Sequence, residues 1–104
     1  MRLYRAISYA ELQDILSSGG LRPGPPSNQG KWFAEVLADA GEWGRRLYPG
    51  ENFHLIEVEV GDALATGWFA LPNLDRIGPA RYAEIPDLPA VVFIGEVPIP
   101  PGGP

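Results

Sequence analysis

Alternating apolar and polar residues open the chain. In MRLYRAIS, Met1, Leu3, Arg5 and Ile7 fall on one face of an extended segment. The pattern predicts a strand over residues 1–8, with a permanent charge on the face that seeks the core. Ser8 then fits an N-cap with Glu11 at N3, a capping box. A helix is expected over 9–18, with Leu12, Ile15 and Leu16 as its apolar stripe and Gly19-Gly20 as its stop. The segment LRPGPPSNQG is a loop whose prolines and glycines bar it from a central strand.

KWFAEV predicts a second short strand, and residues 37–48 a second helix. Leu37, Ala40, Gly41, Gly44, Leu47 and Tyr48 recur at helical spacing. Most of that face is small, so the helix backbone is expected to lie close to whatever it packs on. Glu42 and Arg46 are spaced to pair across one turn, worth roughly 0.3–0.5 kcal/mol. FHLIEVEV is the clearest strand. It sets His54, Ile56, Val58 and Val60 on one face and Phe53, Leu55, Glu57 and Glu59 on the other. Residues 61–80 show no period and are expected to be irregular, with Trp68, Phe69 and Leu71 as core or cleft-wall contacts. RYAEI is a short strand and AVVFIGEV a final apolar one, with Val92, Ile94 and Glu96 sharing a face. The order β-α-β-α-β, then β-rich, predicts an α+β fold in one domain over 1–97, with a flexible Pro/Gly tail over 98–104.

Composition narrows the function classes. The 104 residues include no cysteine, which excludes disulfides and thiolate metal sites, and one histidine, His54, which makes a metal site improbable. His54 reads as a satisfied core residue. The net charge of −5 argues against nonspecific binding to nucleic acid or an anionic membrane. No apolar run approaches the roughly 18 residues a membrane span needs. Thirteen glycines and twelve prolines demand many turns.

Five positions carry candidate chemistry. Arg5 either snorkels or pairs with Glu57 or Glu59, or it lines a cleft and holds an anion. Glu57 and Glu59 are a solvated face or a carboxylate pair, the solvated face being the more economical reading. Glu96 is an edge residue or a functional group. Glu84, at a loop-to-strand transition, stands where catalytic groups are often found. Tyr4, Tyr9, Trp32, Phe33, Trp43 and Tyr48 surround the first strands and helices, mostly as core, with one or two free to stack on a planar ligand.

LYRAIS followed by YAELQDILSSGGL, then GKWFAEVLADAGEWGRRLY and FHLIEVEV, resembles in order the small bacterial ADP-ribosyltransferase toxin domains. The closest resemblance is to the C-terminal modules of Rhs-type polymorphic toxins. It implies an ADP-ribosyltransferase-like fold, with two small helices on antiparallel or mixed sheets around an NAD cleft. Arg5 would then orient NAD, with Tyr4, Trp32, Phe33 and Tyr48 beside it, and Glu84 or Glu96 would be the catalytic glutamate, Glu84 preferred. The implied activity is NAD-dependent mono-ADP-ribosyl transfer to a target macromolecule by an antibacterial effector, in the cytoplasm of a bacterial cell into which it is delivered. The acidic balance favours a protein target over nucleic acid, and a cognate immunity protein is an expected partner. This chain reads Phe33-Ala34-Glu35 where the family's arginine class often has Ser-Thr-Ser. It reads Tyr82-Ala83-Glu84 where Glu-x-Glu or Gln-x-Glu is usual. Two other readings stand beside it: an NAD glycohydrolase on the same fold, and a noncatalytic acidic interaction domain (an immunity protein or adaptor) that binds a basic partner.

Overall fold

Ser8 accepts a hydrogen bond from the Glu11 amide at 3.2 Å, and this cap fixes where the first strand gives way to helix. The computed structural model describes residues 1–23 and 29–101. The middle of the loop expected over 21–30, residues 24–28, lies outside them, as do 102–104. The elements are β1 (Arg2–Ile7), α1 (Tyr9–Ser18), β2 (Lys31–Ala34), α2 (Leu37–Leu47), β3 (His54–Glu59), α3 (Asp62–Thr66), β4 (Phe69–Leu74), β5 (Gly78–Ala83) and β6 (Val92–Val97). Short 3-10 segments cover Pro49–Glu51 and Ile85–Ala90. The six strands form one antiparallel sheet in the order β4-β5-β2-β1-β3-β6, so the domain is α+β.

Strand alternation splits the core into two layers. Leu3, Ile7, Ile56 and Val58 point to one face, where Leu12 and Ile15 of α1 and Trp68, Leu88 and Val91 cover them. Ala6, Ala34 and Leu55 point to the other, under Ala40 of α2 and Phe53. Leu16, expected in the α1 stripe, turns away and is exposed, because Leu12 and Ile15 alone define the buried face. Of the expected α2 face, Ala40, Gly41 and Gly44 are buried, but Leu47 is exposed, and Trp43, outside that stripe, is buried. A Cβ at Gly44 would collide with the Phe53 ring, so glycine sets how close the helix lies.

Three expectations are corrected. Residues 61–80 are not irregular: they hold α3 and a β4-β5 hairpin. Pro72 sits in β4, an edge strand where a missing amide is tolerated, and this broke the sequence signal. Val92, Ile94 and Glu96 do not share a face, because the register shifts by one residue. Val92 lies opposite Glu59, Glu57 opposite Gly95 and Glu96 opposite Ile56. Glu57 and Glu59 do not pair with Arg5; Arg2 holds them at 2.7 and 3.1 Å. Of residues 98–101, Ile99 packs on the α2-side core, and the Pro100 carbonyl accepts from Arg45 of α2.

Candidate functional site: the cavity between helix two and the hairpin

β1 and β3 pair along six consecutive positions, but β1 meets β2 at a single one, Tyr4 opposite Ala34. Beyond Tyr4 the two strands part. Continuing that register would set Ala6 opposite Trp32. Instead the Trp32 carbonyl accepts a hydrogen bond from Arg5 Nη1 at 3.1 Å. The guanidinium thus replaces part of a lost ladder.

The rest of Arg5 is held from α1. Its Nε and Nη2 donate to the two Glu11 oxygens at 2.9 and 3.1 Å, a bidentate fork. Lys31 Nζ lies 3.3 Å from the same carboxylate, and its residue is only 7% exposed. One helix-capping segment therefore places Glu11 between two cations on neighbouring strands. Burial by itself would raise the Glu11 pKa. The hydrogen bond and charge of Arg5, then those of Lys31, outweigh it and hold the carboxyl below its ordinary value. Burial pulls the Lys31 pKa down, Arg5 adds to that, and Glu11 opposes it.

The parting of the strands opens beside a cavity of about 390 Å³. Arg5 and Ala6 of β1, Trp32 of β2, Trp43, Arg46 and Leu47 of α2, and Leu74, Asp75 and Ile77 of the hairpin line it. The size suits a small ligand. Trp32 continues into an aromatic row across the sheet. Its ring centroid lies 5.1 Å from that of Tyr82 and 6.0 Å from that of Phe69, and Phe69 is exposed. The Gly30 amide donates to the Tyr82 hydroxyl at 2.8 Å, which tethers the approach to β2.

The hairpin tip forms the far wall. Asp75 and Arg76 both take left-handed backbone, with φ of 55° and 62°, a pair of conformations that glycine or asparagine would occupy more cheaply. The Ile77 amide donates to the Leu74 carbonyl at 3.0 Å, closing the turn. Arg46 Nη1 donates to the Asp75 carbonyl at 3.1 Å, fastening the turn to α2. Its Nε faces Glu42 at 3.4 Å, the pair expected from the spacing.

Of the seven residues singled out from sequence, the structure brings Arg5 and Trp32 to the cavity. Phe33 is fully buried and stacks against Trp68, so it offers no surface to a ligand. Tyr4 and Tyr48 pack against the core under α2, Tyr48 stacked on Phe53, and neither lines the cavity. Glu84 is exposed just past the end of β5. Glu96 is half exposed on β6 and lies 2.7 Å from His54 Nδ1. His54 is accordingly half-buried at the sheet surface rather than in the core, with the Tyr9 ring 6.1 Å away.

Sequence reasoning missed Glu11, Lys31 and the hairpin tip. The signal for Glu11 was present in the capping box. Its amide does bond to Ser8, while its carboxylate turns to Arg5, six residues upstream. Among the described residues, no group of three or more histidine, aspartate or glutamate side chains is placed to hold a metal ion, and no helix is long and apolar enough to cross a membrane. No family model matches the chain, and comparison with curated proteins and solved structures found no match.

Proposed function

We propose that the cavity binds NAD as a substrate and that the domain is an NAD-dependent mono-ADP-ribosyltransferase with an ADP-ribosyltransferase-like fold. Its setting is that of an antibacterial effector with a protein target and a cognate immunity protein, as the resemblance implies. The observation that supports this reading is the position of Arg5. Its guanidinium stands where two strands part, at the wall of a cavity that also presents two indoles and Arg46. A dinucleotide carries flat rings for Trp32 and Trp43 and phosphate oxygens for a guanidinium.

In the reaction the bond between the nicotinamide nitrogen and ribose C1′ breaks. Its electron pair leaves with nicotinamide, which departs neutral. The acceptor's nucleophile bonds to C1′ and gives up its proton to a base. Positive charge grows on the ribose as the bond breaks, and a carboxylate stabilises it, as in glycoside hydrolysis. Glu84, with Glu96 as its rival, is the carboxylate that the resemblance implies for this role. Both lie outside the cavity wall, so the reading requires bound NAD to extend beyond it.

The noncatalytic interaction domain is the second reading, and a specific observation favours it. The Arg5 guanidinium already makes three hydrogen bonds within the protein, and Asp75 is the carboxylate at the cavity wall. Nicotinamide release from NAD by the purified domain, in buffer and in cell lysate, separates the readings. Release confined to lysate, lost in Arg5→Ala and in either Glu84→Gln or Glu96→Gln, is the expected result. Release in buffer alone identifies the glycohydrolase. No release in either, from folded protein, leaves the interaction domain.

A further inference from the structure

Lys31 duplicates a partner that Glu11 already has. Arg5 satisfies both Glu11 oxygens with its fork, at 2.9 and 3.1 Å. Lys31 nevertheless brings its Nζ to 3.3 Å from Oε2, the oxygen that Arg5 Nε already uses. A lysine is almost never so nearly buried unless it is paired, and among the described residues Glu11 is the carboxylate ion-paired with it. Two cations therefore stand on one carboxylate, and of the two it is Arg5 that lines the cavity. The guanidinium edge formed by Nε and Nη2, which suits a phosphate, is spent on Glu11. A ligand gains that edge only if Glu11 gives it up. Without a second cation, that release would leave a carboxylate of only 18% exposure unpaired, which is strongly unfavourable.

We infer that Lys31 is a positioning residue, which takes over Glu11 when a ligand phosphate draws Arg5 to the cavity. Lysine suits this relief role, because its flexible stem and three rotatable donors follow a carboxylate that has lost its planar partner. Arg5 keeps some accessible surface and already reaches, through Nη1, the carbonyl of Trp32, a residue of the cavity wall. Its fork on Glu11 is then the resting state, and the Glu11 carboxylate passes from one cation to the other without becoming unpaired. The inference rests on the proposed reading that the cavity takes a phosphate-bearing ligand, but not on NAD being that ligand.

Calorimetric titration with inorganic pyrophosphate tests this in four full-length chains: unaltered, Lys31→Met, Glu11→Gln and the double variant. Lys31→Met should weaken pyrophosphate by about tenfold, because Arg5 then leaves Glu11 unpaired. Glu11→Gln should bind at least as tightly as the unaltered chain, since its Arg5 is already free. In the Glu11→Gln background, Lys31→Met should weaken binding by less than about twofold, because no carboxylate is left to hold. Equal losses in the two backgrounds overturn the inference, since Lys31 would then act only through its charge. Binding that Lys31→Met leaves unchanged overturns it too, as does a folded, unaltered chain that binds no pyrophosphate. Where Glu11→Gln folds poorly, the Arg5 Nε–H resonance of the ¹⁵N-labelled unaltered chain decides, assigned with Arg5→Lys. Saturating pyrophosphate should shift it as Glu11 is released, and a resonance left in place overturns the inference. The coupled pattern without nicotinamide release from NAD removes the transferase reading alone. Nicotinamide release without the pattern removes the role of Lys31 alone.

Discussion

Arg5 stands on a face shared with Leu3 and Ile7, both fully buried, and desolvating a guanidinium there is costly unless it is paired. Glu11 does the pairing with both oxygens, and Lys31 shares the same carboxylate. The two cations do not contribute alike. Arg5 has a planar fork matched to the carboxylate, while Lys31 is nearly buried with its pKa depressed by that burial. Glu11→Gln leaves two cations facing a neutral amide and should cost about 2–4 kcal/mol. Lys31→Met keeps the bidentate pair and should stay within about 1 kcal/mol of the unaltered protein. Urea unfolding of the two variants checks the ranking. Equal effects would mean that the cluster is not organised around Glu11. From sequence, the oddity of Arg5 was legible because alternation exposes a misplaced charge. Its partner was not, because Glu11 already had a local explanation as a capping residue.

At the scale of elements, α2 and the β4-β5 hairpin make the cavity, and each carries a conformational constraint. Gly44 lets α2 sit against Phe53. Alanine is the better helix former by about 1 kcal/mol, but the new methyl would meet an aromatic ring held in the core. Overpacking outweighs the gain in helix propensity, so Gly44→Ala should destabilise by about 1–3 kcal/mol and shift the aromatic near-ultraviolet signal of the packed rings. The buried small residues of α2, Ala40, Gly41 and Gly44, were readable from spacing, whereas the exposure of Leu47 and the burial of Trp43 were not. The hairpin was not. Its strands carry Pro72 and Pro79, and its turn reads Asp75-Arg76 where the usual tight-hairpin signal is Asn-Gly or Asp-Gly. A tertiary bond from Arg46 to the Asp75 carbonyl helps hold a turn that local propensity disfavours.

For the whole molecule, the decisive electrostatic fact is an acidic chain with a cationic cluster at its centre. Glu11 has a folded pKa below its ordinary value of 4.5, so the folded state favours its ionised form more than the unfolded chain does. That stabilisation is complete above pH 4.5 and is lost as the pH falls through the folded value. The thermal midpoint should therefore drop as the pH is lowered below about 4.5. Glu11→Gln should flatten that decline, because the titrating group is gone. A melting series of the two proteins from neutral pH downward measures it, and parallel curves would place the acid sensitivity elsewhere. The sheet ends are arranged against edge-to-edge growth, with Pro72 in β4 and a register shift in β6.

Local chemistry alone determined the first half of the fold. The cap at Ser8, the glycine stop of α1 and the alternation in β3 each act over a few neighbouring residues, so they appear at their expected places. The two-sided core followed from the same alternation. Only the tertiary structure decided the site. Sequence period says which face a side chain takes, but not which element will stand opposite it. Phe33 was drawn into the core by Trp68, and Glu84 and Glu96 fell outside the cavity. Arg5 is paired with Glu11, and β1 meets β2 at one position only. Where the strands part, Arg5 reaches the Trp32 carbonyl from 27 residues away, and no local pattern encodes that contact.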